Sequence, residues 1–315
     1  MFTLFVYARS GNLVTYFPGC LFFTVLTLFA FSLPELRGQD QIPEAKKIMG
    51  LFNEESSWSP DGKSIAFDSS RPGKTSIFTW RRETREQKRL TSGDANDITP
   101  EWSPDGKQIA FVSDRTGHNE IYVINSNGGE PRQVTNDKSD DIHPDWSVDG
   151  QRIIYCSARD NPDQSNAPEG ELYETYTVKT DGTGVKRITN DQGINTYPSF
   201  SHDGRHIVFR KIIAENNSEV FVMNADGSSL RNLTNNPAFD GWPRWSPDDS
   251  KIVFASNRGG KDYEIYVMNA DGSGVQQITQ LHGRNTSPKW SPDGKKISFD
   301  HAAQGECDIF VVNAP

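Results

Sequence analysis

The sequence predicts an all-β protein, a six-bladed β-propeller whose blades have four strands each. Three observations predict this fold. A unit of about 45 residues recurs six times, and each unit contains short segments rich in β-branched and aromatic residues. The last unit also lacks a strand that the beginning of the repeat region supplies. Four-stranded units at this period are typical of β-propellers.

The repeat is easiest to see in the string W-S-P-D-G-K-x-I-A-F and its variants. A second string, such as E-I-Y-V-M-N from Glu264, follows about twenty residues later, and a third, such as Q-Q-I-T from Gln276, closes most units. The leading aromatic residues are separated by 44, 44, 54, 45 and 45 residues, and they are Trp58, Trp102, Trp146, Phe200, Trp245 and Trp290.

Each unit predicts four strands. The first ends at the leading aromatic residue, the second is I-A-F-like, the third I-Y-V-M-N-like and the fourth I-T-like. These segments are too short for helices, and their residues favour strands. The turns are specified as well, because Pro, Asp and Gly in S-P-D-G suit successive positions of a type I turn. The Asp-Gly step in N-A-D-G-S marks the hairpin between strands three and four.

One four-stranded sheet cannot bury both of its faces, so the sheets must stack. The ends of the repeat region favour a closed ring over an open stack. The sixth unit stops at Pro315 after its third strand. Lys46–Met49 lies ahead of Trp58 in the same position as the fourth-strand string Gln276–Thr279 ahead of Trp290. We therefore expect the N-terminal strand to complete the last blade.

The first 38 residues have a different composition from the propeller region at 39–315. The apolar stretch Cys20–Leu33 follows a single charge, Arg9, and has the length of a secretory h-region. Extending it back to Leu13 gives 21 residues, which is enough for a membrane anchor. Residues 1–38 are thus a signal peptide or an N-terminal membrane anchor. Either predicts an exported protein, periplasmic or extracellular, with membrane contact only through this segment if it is uncleaved.

Two cysteines lie in the propeller region, Cys156 in the third unit and Cys307 in the sixth. These units are opposite each other in a ring of six. A disulfide needs Cα atoms within about 7 Å, so we expect both thiols to be free.

Composition and motifs exclude several functional classes. The net charge is −9 and no long basic run occurs, so nucleic-acid binding is not expected. The sequence has no G-x-S-x-G, P-loop, dinucleotide-binding or C-x-x-C motif. His202 and His206 are expected in a turn, and the other four histidines, His118, His143, His282 and His301, come from different blades with no i, i+4 pairing. We therefore expect no enzyme activity, no cofactor and no metal site.

The strings W-S-P-D-G-K-x-I-A-F, E-I-Y-V-M-N-A-D-G and Q-Q-I-T resemble the repeat of the TolB-type propellers, often called WD40-like. The resemblance covers residues 45–315 and implies the fold. Propellers of this type occur in the periplasmic TolB protein, in the non-catalytic half of prolyl oligopeptidase-type enzymes and in many bacterial proteins of unknown role. TolB carries an additional N-terminal α/β domain, whereas here a few residues separate the leader from the first propeller strand. The resemblance implies an envelope protein as partner.

Four arginines recur at one position of the repeat, four residues after the aromatic residue of strand two: Arg71, Arg115, Arg159 and Arg258. An arginine cluster can hold a carboxylate ligand bidentately. The alternative, which we favour, is a structural brace to the Asp or Asn found five residues before each leading aromatic residue. These partners are Asn53, Asp97, Asp141, Asn195, Asp240 and Asn285.

The position three residues before the leading aromatic residue varies, and we expect it at the mouth of the central channel. It reads Glu55, Thr99, His143, Tyr197, Trp242 and Ser287. Three adjacent blades place aromatic rings there, namely those of His143, Tyr197 and Trp242. The extra residues of the 54-residue interval, Asp160–Glu171, are expected beside them. Aromatic anchors near an irregular loop are typical of recognition sites, although these rings would equally serve to plug the channel.

Two functions follow from these residues. The first is an exported, non-enzymatic scaffold that binds a protein or peptide through its channel-mouth loops. The alternative is a carbohydrate-active enzyme or a glycan-binding propeller, in which the arginine set acts with carboxylates such as Asp141 or Glu55.

Overall fold

The computed structural model describes residues 43–49, 53–71, 73–160, 172–191 and 193–315. Every regular element in these ranges is a β-strand. The described residues include no helix long and apolar enough to cross a membrane. The N-terminal segment 1–38, which the sequence predicts to be a signal peptide or an anchor, lies outside these ranges and stays a prediction.

The strands form six four-stranded antiparallel sheets, the blades. The chain begins with β1 (Lys46–Met49). Blade 1 consists of β2 (Asn53–Trp58), β3 (Ser64–Ser69), β4 (Ser76–Arg81) and β5 (Gln87–Arg89). Blade 2 consists of β6 (Asp97–Trp102), β7 (Gln108–Ser113), β8 (Glu120–Asn125) and β9 (Arg132–Gln133). Blade 3 consists of β10 (Asp141–Trp146), β11 (Arg152–Ser157), β12 (Glu174–Lys179) and β13 (Lys186–Arg187).

The remaining three blades repeat this arrangement. Blade 4 consists of β14 (Ile194–Phe200), β15 (His206–Ala214), β16 (Asn217–Asn224) and β17 (Arg231–Asn232). Blade 5 consists of β18 (Asp240–Trp245), β19 (Lys251–Ser256), β20 (Glu264–Asn269) and β21 (Gln276–Gln277). Blade 6 consists of β22 (Arg284–Trp290), β23 (Lys296–Ala303) and β24 (Glu306–Asn313), and β1 is its fourth strand.

The ring closes as the sequence predicts. Strand β1 pairs antiparallel with β24, with Lys46 opposite Val311 and Met49 opposite Ile309. Met49 also belongs to a buried cluster that joins blade 6 to Trp58 and Phe67 of blade 1. The N-terminal strand therefore supplies both the missing ladder and part of the apolar interface that seals the ring.

The blades are held together by apolar packing. Six buried clusters lie mainly at one blade interface each, and together they account for all six interfaces. Phe111 and Tyr155 are examples of fully buried side chains in these clusters. Burying an aromatic or large aliphatic side chain contributes roughly 1.5–3 kcal/mol. The aromatic and β-branched repeat positions are therefore explained by stacking of neighbouring sheets.

The fourth strands are shorter than the I-T-like strings predict, with two or three residues in each of blades 1–5. The threonine lies beyond the ladder, and its hydroxyl accepts a hydrogen bond from a third-strand N–H that the ladder leaves without a carbonyl partner. The threonines that do this are Thr91, Thr135, Thr189, Thr234 and Thr279.

The S-P-D-G turns have the geometry that their residues predict. In the first, the Ser59 hydroxyl donates to Asp61 Oδ1 at 2.7 Å, and the Lys63 N–H donates to the same atom at 3.0 Å. These hydrogen bonds lower the pKa of the Asp61 carboxyl. Gly62 has a φ of +66°, which glycine adopts without strain. In the following text, the edge of the ring that carries these turns is the turn face, and the opposite edge, where each blade's first strand begins, is the loop face.

Cys156 and Cys307 are both free, which confirms the expectation from their positions in blades 3 and 6.

Candidate functional site

The first strand of every blade borders the central channel and contains a bulge at the variable position. The six residues there have φ between 48° and 54°, and the pairing register shifts beside each of them. They are Glu55, Thr99, His143, Tyr197, Trp242 and Ser287. The sequence predicts this position at the mouth of the central channel, and that location stays a prediction. The structure places it within the first strand itself.

A proline follows the bulge residue in five of the six blades: Pro100, Pro144, Pro198, Pro243 and Pro288. Proline cannot donate to a ladder, so within sheets it occurs at edges and bulges. The proline two residues before the leading aromatic residue was therefore a sequence signal for this bulge.

The three aromatic rings predicted to form an arc do meet. The ring centroids of His143 and Tyr197 are 3.7 Å apart, and those of Tyr197 and Trp242 are 5.5 Å apart. Burial and the nearby Arg210 and Arg244 hold the pKa of His143 well below its usual range. His143 is therefore neutral at pH 7 and contributes a ring, without a charge.

Two further aromatic residues extend this arc toward the loop face. The Phe239 ring lies 5.6 Å from that of Trp242, and the Tyr263 ring lies 5.9 Å from Trp242. Trp242 is 6% exposed, whereas Tyr197, Phe239 and Tyr263 are half-buried. We define Tyr197, Phe239, Trp242 and Tyr263 as the aromatic patch. Trp242 supports this patch from beneath, and the other three rings form its accessible surface.

Two arginines complete the patch. The Arg210 guanidinium lies 5.2 Å from the Tyr197 ring and 5.1 Å from the Phe239 ring, and its Nε donates to Thr196 Oγ1. The Arg284 guanidinium lies 5.5 Å from the Trp242 ring. Sequence reasoning missed both arginines. The signal for Arg210 was its position directly after the strand-two aromatic residue, where the other blades carry Asp, Val, Cys or Ala.

The opposite side of the channel is acidic. Asp300 of blade 6 accepts the N–H of Glu55 at 3.0 Å, and Asp68 of blade 1 accepts the N–H of Thr99 at 3.2 Å. The Ser287 hydroxyl donates to Glu55. Burial raises the pKa of Asp68 and of Asp300 well above the usual range, and mutual repulsion among the carboxylates adds to it. Burial also raises the pKa of Glu55.

An ion network crosses the channel one position before the leading aromatic residues. Lys289 of blade 6 donates to Glu101 of blade 2, and Arg244 of blade 5 donates to the same carboxylate oxygen at 3.1 Å. Burial lowers the pKa of Lys289 to about 8, so its ammonium is mostly protonated at pH 7. These three side chains join blades on opposite sides of the ring. Sequence reasoning missed them because the position has no common residue type.

Between this network and the turn face lies a cavity of about 440 Å³. The aromatic residues at its wall include three tryptophans whose indole N–H groups are buried and have no hydrogen-bond partner, namely Trp102, Trp245 and Trp290. The Trp58 indole donates instead to Ser298 of the preceding blade. In the blades preceding the other three, Ala66, Val208 and Val253 occupy the position of Ser298. The unpaired indoles are therefore explained by apolar neighbours.

Three of the four recurring arginines form the braces that we favoured. Arg115 pairs with Asp97 at 2.9 Å, Arg159 with Asp141 at 2.8 Å and Arg258 with Asp240 at 2.7 Å. In blade 1 the Arg71 guanidinium donates to the uncharged Ser69 and Gln87, neither of which is the predicted partner Asn53.

One group of carboxylates among the described residues has the spacing of a metal site. Oxygens of Glu120, Asp137 and Asp141 lie within 4.8 Å of one another. Arg159 already contacts two of them, at 2.5 Å to Asp137 and 2.8 Å to Asp141. Burial raises the pKa of Asp141 to about 7. The guanidinium occupies the place that a cation would take, so these residues are explained as a brace.

The insertion of blade 3, Asp160–Glu171, was expected beside the aromatic residues. Residues 161–171 lie outside the described ranges, so that expectation stays a prediction. Asp160 is described, and it accepts a hydrogen bond from the Tyr176 hydroxyl at 2.5 Å.

Comparison with known proteins identifies the repeat. The model of the TolB β-propeller domain family matches residues 43–169 and 210–315. A protein described as a TolB from Agrobacterium tumefaciens is 26% identical, with a TM-score of 0.64 over 84% of this chain and 91% of that one. TolB from Acinetobacter baumannii is 20% identical, with a TM-score of 0.64 over 84% of this chain and 62% of that one.

An enzyme shares the fold as well. The oligogalacturonate lyase of Vibrio parahaemolyticus is 14% identical, with a TM-score of 0.60 over 88% of this chain and 95% of that one. No match was found among curated proteins. At these low identities the likeness to the lyase and to the Acinetobacter TolB concerns the fold alone, since function depends on the site that a fold carries.

Proposed function

This chain belongs to the TolB β-propeller domain family, and from that premise we propose that it is an exported, non-enzymatic scaffold. It binds a protein or peptide segment at the loop-face mouth of its channel, through the aromatic patch.

The observation that carries this proposal is the accessible half of the aromatic patch. Tyr197, Phe239 and Tyr263 pack around the buried Trp242 and remain partly exposed. At the bulge position other blades carry Thr99 or Ser287, so the fold itself does not require an aromatic ring there. Aromatic residues on a buried support are enriched at the centres of protein interfaces.

The channel geometry also favours a segment that stops inside the channel over one that passes through it. Below the patch, the contacts of Glu101 with Arg244 and Lys289 span the channel. A segment that enters from the loop face therefore meets buried charges before it reaches the turn face. Desolvating such paired charges is costly, so the segment ends at this level.

The arginine set gives little support to the carbohydrate alternative. Arg115, Arg159 and Arg258 are each paired with a buried aspartate of their own blade. A carboxylate ligand would have to break these pairs and leave the aspartates buried without a partner.

Site-specific photocrosslinking tests the proposal in intact cells of a bacterium that exports the chain. A photoreactive phenylalanine analogue replaces Phe239 in one variant and Trp80 in the control. Trp80 is a half-buried aromatic residue of β4, the third strand of blade 1, whereas the first strands border the channel. We expect crosslinked protein adducts at position 239 and none of the same mass at position 80.

The same crosslink is repeated with Tyr197→Ala and Tyr263→Ala, and the adduct at position 239 should weaken in both. Equal adduct formation at positions 239 and 80, or adducts indifferent to both substitutions, would refute the aromatic patch as a binding surface. Fractionation of these cells also tests export, because the chain should be found in the envelope or the medium.

A further inference from the structure

We propose that the aromatic patch contains a carboxylate-binding subsite at Arg284, which recognises an acidic residue or the terminal carboxylate of the bound protein segment. This inference rests on the proposed function and specifies the chemistry of the partner.

Arg284 differs from the bracing arginines in its surroundings. It is the first residue of β22, and its side chain is exposed. Its guanidinium stacks at 5.5 Å from the Trp242 ring. Its backbone pairs with Ala302 of β23, but among the described residues its guanidinium has no hydrogen-bond or ion-pair partner, so all five guanidinium N–H groups are available to a ligand.

The stacking holds this cation in place without neutralising it. An arginine over an indole is attracted by the ring and loses side-chain freedom before any ligand arrives. A planar guanidinium that is fixed in this way presents two parallel N–H groups, which is the arrangement that binds a carboxylate bidentately. The Arg210 guanidinium also lies 5.9 Å from the Trp242 ring. Two guanidinium groups therefore flank one indole.

The rest of the channel restricts where a carboxylate can bind. Glu55, Asp68 and Asp300 lie on the other side, where burial and mutual repulsion already raise the pKa of Asp68 and Asp300. A further carboxylate there would add repulsion. We therefore place the acidic group of the segment over Arg284 and its uncharged or cationic neighbours toward the acidic side.

Peptide selection tests this proposal without knowledge of the natural partner. A random dodecapeptide library displayed on phage is selected against the full chain, with immobilised bovine albumin as the subtraction step. Enriched peptides are synthesised as fluorescent probes, together with copies in which each Asp or Glu is changed to Asn or Gln. Fluorescence polarisation then gives the affinity for wild type and variants.

We expect enriched peptides to contain an acidic residue, and Arg284→Gln to weaken their binding about ten-fold or more, as for loss of a hydrogen bond to a charged group. The neutral copies should bind wild type and Arg284→Gln equally. The matched control is Arg231→Gln, an exposed arginine of β17, which should leave binding unchanged. Because Arg284 is exposed, circular dichroism should show both variants folded.

The remaining outcomes separate this inference from the function on which it rests. One outcome is that peptide binding depends on Tyr197 and Phe239 but is unaffected by Arg284→Gln. This result would overturn the carboxylate subsite and leave the proposed function intact. A selection with no peptide dependent on Tyr197 or Phe239 would overturn both. If only a trigalacturonate probe binds, and Arg284→Gln abolishes that binding, the ligand is an acidic sugar and the protein partner is refuted.

Discussion

The two sides of the central channel use the same backbone for opposite chemistry. In blades 3, 4 and 5 the bulge carries His143, Tyr197 and Trp242, whose rings contact one another. On the other side, in blade 1, it carries Glu55, which contacts Asp300 of blade 6 through its N–H. All these bulge residues share a left-handed conformation with φ near 50°.

This difference shows which features of the bulge the fold requires. The bulged backbone is common to all six blades, whereas the side chain at the bulge varies from blade to blade. One side of the channel gains stability from packed rings. The other contains buried carboxylates, which oppose folding wherever they are ionised. A surface that is apolar on one side and acidic on the other is suited to orient a bound segment.

Substitution of Trp242 is expected to have the largest effect. Trp242→Ala should destabilise the protein by about 3–5 kcal/mol, because a buried ring and its contacts with Tyr197, Phe239 and Tyr263 are lost. Urea unfolding measures the loss. The control is Thr99→Ala at the same bulge position, whose hydroxyl has no hydrogen-bond partner. It should cost less than about 1 kcal/mol. Equal losses in the free energy of unfolding would mean that the two sides of the channel contribute equally to stability.

Neutralising Glu101 tests the network that connects the two sides. Glu101→Gln should cost roughly 2–3 kcal/mol, because Arg244 and Lys289 then lose the carboxylate that compensates their charge. In the double variant Glu101→Gln/Lys289→Met part of the loss should be recovered, since one uncompensated cation is gone. Urea unfolding of both variants at pH 7 provides the comparison. A double variant no more stable than Glu101→Gln would contradict this network.

The acidic side should show the smallest effect, and it depends on pH. Asp68 and Asp300 have a higher pKa when folded than when unfolded. The two carboxyl groups therefore favour folding at low pH, where they are protonated. Their contribution to the free energy of unfolding is lost as the pH rises above the ordinary pKa of an aspartate. Asp68→Asn/Asp300→Asn should raise the melting temperature at pH 8 more than at pH 5. The asparagine oxygens still accept the N–H groups of Glu55 and Thr99.

The control for this measurement is a carboxylate whose pKa is lowered, and its substitution should lower the melting temperature. Hydrogen bonds from Lys107 and Ser103 lower the pKa of the exposed Asp105, so it is ionised throughout the range from pH 5 to 8. Asp105→Asn should therefore lower the melting temperature by a similar amount at every pH in this range. A variant of Asp68 and Asp300 with the same pH profile as wild type would show that neither carboxyl group contributes to the pH dependence.

Much of the site could be predicted from the repeat, because each unit faces the same neighbours. Alignment of six units was enough to single out His143, Tyr197 and Trp242, and to pair Arg115 with Asp97 in a brace. The alignment did not reveal how far each ring is buried. It marked Trp242 as a contact residue, whereas the structure makes it the support of Phe239 and Tyr263.

The sequence by itself determined the blades, the turns and the closure of the ring, since these depend on neighbours within one repeat or on the next repeat. Only the tertiary structure decided which side chains meet across the channel. Glu101 lies 143 residues from Arg244 and 188 from Lys289, and the three come together because the ring brings distant blades to one axis. Arg284 reaches Trp242 of the preceding blade in the same way. Local patterns specify a strand and its turn, but contacts around an axis depend on the closed ring.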